Sequence, residues 1–119
     1  MHIIPKSIDS LISEAENDNL YPKLLEQINK DFNLANEGID FPINTSPQEL
    51  KEQLQEKIYR LIQYKFAEYL NILYIIDVPE DQIKKLDGSD ILELSAQVAF
   101  LILKREWMKV WYRNNQPLL

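Results

Sequence analysis

Cysteine is absent from the 119 residues, histidine occurs once, at position 2, and glycine only twice, at positions 38 and 88. Without cysteine there is no disulfide scaffold, thiolate nucleophile, iron–sulfur cluster or Cys-ligated zinc site. With His2 as the one imidazole, a Ser-His-Asp triad and the Glu-x-x-His set of a di-iron bundle both lack their central residue. Two glycines cannot build a phosphate cradle, a dinucleotide fingerprint or a nucleophile elbow, and they are few for a fold of many short strands and turns. Long apolar runs are also missing. The longest, Val98 to Leu103, has six residues, against the roughly 20 that cross a bilayer. No basic, apolar leader opens the chain, so it is read as a cytoplasmic protein without a membrane span.

Basic residues are the minority: 13 Lys and Arg face 19 Asp and Glu, giving a net charge of −6 and a pI near 4.8. Such a field repels phosphate backbones, which argues against nucleic acid as a partner. The imbalance runs along the chain. Residues 1–45 hold three Lys against eight acids, residues 46–87 six bases against eight acids, and residues 88–119 four bases against three. The acids Asp87, Asp90 and Glu93, and likewise Asp77, Glu80 and Asp81, suit helix starts and do not follow the alternating ligand spacing of a calcium loop. No metal, cofactor or catalytic residue is assigned, and the balance of these absences is against an enzyme.

What remains is helical periodicity over a chain the size of one domain, residues 1–119. A first helix is expected from about Ser7 to Glu16, with Ile8, Leu11, Ile12 and Ala15 inward. A second runs from about Leu20 to Glu37, ending at Gly38 as the C′ residue. Residues 39–45 read as an extended connection pinned through Ile39, Phe41 and Ile43. Ser46-Pro47-Gln48-Glu49 is a capping box with proline at the first helical position. From it the spacing predicts one unbroken helix to about Asp77, ~45 Å long at 1.5 Å per residue. Its apolar arc covers more than half the circumference. A short helical turn is expected near 79–86, and a fourth main helix from about Asp90 to Asn114. The predicted fold is all-α, an antiparallel bundle of four main helices plus that turn, with the third and fourth as its central hairpin.

Three groups of side chains are candidates for function. On the last helix, Leu94, Leu101 and Met108 recur every seven residues at a large angle to the main apolar face, so the helix is greasy all round and calls for more neighbours than one copy supplies. With Trp107 and Trp111 they form the expected self-association interface. The alternative is cover by the first helix and the 39–43 segment. Arg105, Lys109 and Arg113, spaced by four, stack along one flank and are candidates for contact with an anion or an acidic partner, or else for intramolecular charge pairing. Lys65 falls inside the arc of the third helix beside Tyr69, which sketches a ligand pocket, although a lysine there more often snorkels outward or meets a carboxylate. The functional expectation is a non-enzymatic protein-interaction module, probing either itself or another protein through an apolar helix face. Two alternatives are an acidic inhibitor or immunity-type protein masking a basic partner, and a bundle binding a small molecule.

Overall fold

The computed structural model describes residues 4–115, and these form six helices and no strand. They are α1 (Ile8–Asn17), α2 (Tyr21–Leu34), α3 (Pro47–Tyr64), α4 (Phe66–Ile76), α5 (Glu80–Lys84) and α6 (Ile91–Asn114). The all-α bundle is therefore present. Its starts are set by local chemistry: Ser7 accepts from the Ser10 N–H (3.1 Å), and Asp90 accepts from Leu92 and Glu93 (3.0 and 3.4 Å). Ser46 and Glu49 form the reciprocal capping box, 3.1 Å one way and 3.2 Å the other.

The ends of α1, α2 and α4 are made by Asx residues and not by glycine. Asn19, Asn36 and Asp77 have φ of 58°, 57° and 69°, and neither glycine has positive φ. After each, the next N–H reaches back five residues: Leu20 to Ala15 (2.8 Å), Glu37 to Phe32 (2.9 Å) and Val78 to Leu73 (3.0 Å). These are Schellman closures, which satisfy carbonyls that a helix end leaves orphaned. The second helix thus stops at Leu34 and Asn36 takes the left-handed position expected of Gly38, because a short polar side chain tolerates that conformation. The connection to α3 is extended, as expected. The Asn29 side chain clamps Phe41 by accepting from its N–H (2.8 Å) and donating to its C=O (3.0 Å), and the Tyr21 hydroxyl donates to the Thr45 carbonyl (2.8 Å). Ile39 and Phe41 enter the core while Ile43 faces solvent.

The expected 30-residue helix is two helices. Lys65, with φ −141° and ψ 60°, separates α3 from α4, and α4 starts without a side-chain cap. Periodicity could not show this, since the inward residues Leu54, Ile58, Leu61, Tyr69, Ile72 and Ile76 keep one phase through the break.

α6 is the axis of the molecule. It packs most extensively on α3, as the central-hairpin expectation required, and also touches α1, α2 and α4. Every residue from Leu94 to Trp111 is buried or half-buried within one chain. Four helices of its own chain pack against α6, while Leu94, Leu101 and Met108 stay half-buried. No helix among the described residues is long and apolar enough to cross a membrane.

Candidate functional site

The cationic strip of α6 is spoken for inside the chain. Arg105 donates to the backbone carbonyl of Asp77 (3.1 Å) and to its carboxylate (3.2 Å), tying α6 to the end of α4. Lys109 donates to Asp31 of α2 at 2.9 Å and lies 3.2 Å from Glu106. Arg113 donates to the Gln27 side chain at 3.1 Å. Of the two readings of the strip, contact with an anion or partner and intramolecular pairing, the described contacts are intramolecular, with α2 and the α4 end. Lys109, half-buried between two carboxyls, offers no spare charge to a ligand.

Beneath it is a group that the sequence did not single out. Glu106 is 0% exposed and stands against Asp31, itself buried. Burial first, then the hydrogen bond and charge of Asp31, push the Glu106 carboxyl up to about 9, with Lys109 opposing. Asp31 moves the other way: hydrogen bonds from Glu106, Lys109 and Gln27 hold it below the usual carboxylate range in spite of burial. The Lys109 ammonium directs its hydrogen bond to Asp31 and stands 3.2 Å from Glu106 Oε1 as an ion-pair neighbour. Both shifts place the pair's proton on Glu106, facing the Asp31 carboxylate. A general acid must reach its substrate. Glu106 lines none of the principal grooves, and the pair joins α2 to α6 inside the core.

The residues sketched as a pocket are not gathered. Lys65 sits at the α3–α4 break with 53% of its side chain exposed, donating to both oxygens of the buried Glu37 (3.2 and 3.1 Å), which also receives Lys57 (3.2 Å). Those two ammonium groups lower the Glu37 carboxyl in spite of its burial. Tyr69 is buried against Phe66, with ring centroids 5.4 Å apart. Trp107 is wholly in the core, its indole N–H donating to Glu14 at 2.6 Å, and is out of reach of any partner. Trp111 is half-buried and meets the Tyr112 ring edge-on at 5.1 Å. Leu94 packs beside Gly88, where an added Cβ would lie 3.8 Å from its Cδ2.

Leu101, Met108 and Arg105 do converge. With Asp77, Pro79, Gln82 and Lys104 they line a groove of about 370 Å³ between α6 and the 77–82 segment. On the other side of Asp77–Pro79 lies a larger one, about 520 Å³, walled by Leu70, Leu73, Tyr74, Val78 and Ile83 and rimmed by the charged Asp77, Glu80 and Lys84. It opens onto the outer face of α4, where Phe66, Leu70 and Tyr74, four apart, are 55%, 50% and 75% exposed.

Charge is sparse on that face. The eleven residues of α4, Phe-Ala-Glu-Tyr-Leu-Asn-Ile-Leu-Tyr-Ile-Ile, contain one acid, Glu68, and the charged groups around it are paired: Lys65 with Glu37, Asp77 with Arg105, Glu80 with Lys84. An apolar helix lying at the surface in a chain that is 27% charged is the chief anomaly of the molecule. The composition of residues 66–76 could have signalled it, but an unbroken helix directed Phe66 and Leu70 inward. Among the described residues no cluster of three or more His, Cys, Asp or Glu is placed to hold a metal. In comparison with known proteins, the chain matches no family model, no curated protein and no solved structure.

Proposed function

We propose that this protein is a non-enzymatic interaction module that pairs with a second copy of itself through the outer face of α4 and the groove between α4 and α5. The observation that supports this is the exposed Phe66–Leu70–Tyr74 row, which continues into the Leu73, Val78 and Ile83 side of the groove. A second copy is the favoured occupant on electrostatic grounds. Two molecules of charge −6 repel, so a contact between them is favoured where neither presents unpaired charge, and this face meets that condition. Across a two-fold axis Leu70 would meet its mate's row, and the Asn71 amides could pair reciprocally. Specific dimers bury about 800 Å² per partner, so the row needs the groove walls as well to complete an interface.

The acidic-inhibitor alternative draws less support. Of the eight acids in residues 1–45, Asp31 and Glu37 are buried in ion pairs and Glu14 receives Trp107, which leaves a weaker surface field than the count implies.

Sedimentation equilibrium tests the proposal. At roughly 100 μM the protein is expected to be dimeric, and Leu70→Glu, which places a charge at the centre of the row, to be monomeric with unchanged helicity. A single 14.1 kDa species at that concentration would overturn the reading.

A further inference from the structure

The break at Lys65 has no local cause. From Gln48 to Val78 there is neither proline nor glycine, and Gln63, Tyr64, Lys65, Phe66 and Ala67 include good helix formers. Backbone hydrogen bonds run up to the junction on both sides, Lys65 N–H to Leu61 (2.9 Å) and Tyr69 N–H to Lys65 (3.0 Å). The N–H groups of Phe66, Ala67 and Glu68 make none across it, although a continuous helix would satisfy all three. The inward residues on either side already share one helical phase. What holds the bend is tertiary: α4 folding back onto α2 and α6, and the Glu37 carboxylate gripping Lys65 together with Lys57 of α3.

We infer that the Lys65 junction is a hinge through which two copies exchange halves, α3 and α4 straightening into one helix so that α4–α6 of each chain packs on α1–α3 of the other. Every buried interface of the monomer is rebuilt in such a dimer, between chains where it was within one. The straightened helix gains the three missing backbone hydrogen bonds, and the loss is one of the two ammonium groups on the buried Glu37, whose other partner, Lys57, stays in the same half of the chain. Because α6 supplies the centre of the core, the halves cannot exchange without unfolding, so the exchanged dimer forms and dissociates slowly. It is independent of the outer face of α4 and uses the buried residues Tyr69, Ile72 and Ile76 instead.

The experiment is to unfold and refold the protein at high concentration, then dilute it and follow the dimer by size exclusion over hours. A face-to-face dimer dissociates on dilution, whereas an exchanged dimer persists. Glu37→Gln and Lys65→Ala are each expected to raise the dilution-resistant fraction several-fold over the unmodified protein. Ala67→Pro is expected to abolish it: proline is tolerated in the first turn of α4, where the N–H is unbonded, but would clash with the Gln63 carbonyl in a continuous helix. Leu70→Glu is expected to leave that fraction unchanged while removing the dilution-sensitive dimer, which separates the two modes. The inference is overturned if neither Glu37→Gln nor Lys65→Ala yields a dilution-resistant dimer, or if Ala67→Pro, folded by circular dichroism, forms as much of it as the unmodified chain.

Discussion

Glu106 sets the pH response of this fold. Its proton is retained in the folded chain up to about 9 but is lost near 4.5 when the chain unfolds, so between those values the folded state binds more protons. The stability due to this group is complete below about 4.5 and is lost as pH rises through 9. Asp31 acts in the opposite sense, its lowered carboxyl contributing stability above its ordinary range and losing it on acidification. Urea unfolding from pH 5 to pH 9 should therefore show a falling midpoint, and Glu106→Gln, neutral throughout, should flatten that fall. An unchanged slope in the variant would mean that the proton resides elsewhere. Trp107→Phe removes the hydrogen bond to Glu14 but keeps most of the buried ring, and a loss of about 2 kcal/mol is expected by denaturant titration. Neither role could be read from the chain, where Glu106 and Trp107 look like ordinary members of a mixed polar and aromatic stretch. Burial depends on which neighbours arrive, and these come from Asp31 and Glu14, far away in sequence.

At the level of elements, starts were legible and stops were less so. The Ser46–Glu49 box stands where its spacing put it, because capping is a negotiation among residues three apart. Ser46→Ala should lower stability by about 1 kcal/mol in a thermal melt. Helix ends were harder, since Asn, Asp and Gly compete for the left-handed position and the choice depends on where packing ceases to reward another turn. At Asn36 the expected order is Gly as stable as Asn or more so, and Ala less stable by about 1 kcal/mol, again by thermal unfolding. A destabilised glycine variant would show instead that the Asn36 side chain matters beyond its φ. The α3–α4 break was invisible for a related reason: a bend that preserves helical phase leaves no trace in periodicity, and what accompanies it, α4 packing on α2 and α6 and the Glu37 carboxylate meeting Lys65, involves other segments.

For the molecule as a whole, the location of unsatisfied apolar surface is what changed between sequence and structure. Hydrophobicity on all sides pointed to α6 as the helix in need of company, and α6 has it already from α1, α2, α3 and α4. The same physical rule, applied to the elements as they exist, transfers to α4. Thermal stability of Leu70→Glu should stay close to that of the unmodified monomer, because the side chain is half-exposed and makes no core layer. If the variant were strongly destabilised, Leu70 would belong to the core and the outer face would lose its meaning as a contact surface.

Composition and spacing alone determined the all-helical class, the capped starts, the absence of cysteine chemistry and most of the inward residues. Each of these rests on interactions within a few positions along the chain or on what is simply not there. Only the assembled structure decided where the long apolar pattern bends, which charges neutralise one another and which apolar face is left to solvent. Those outcomes follow from contacts between residues dozens of positions apart, whose free energy exists only once the helices have met.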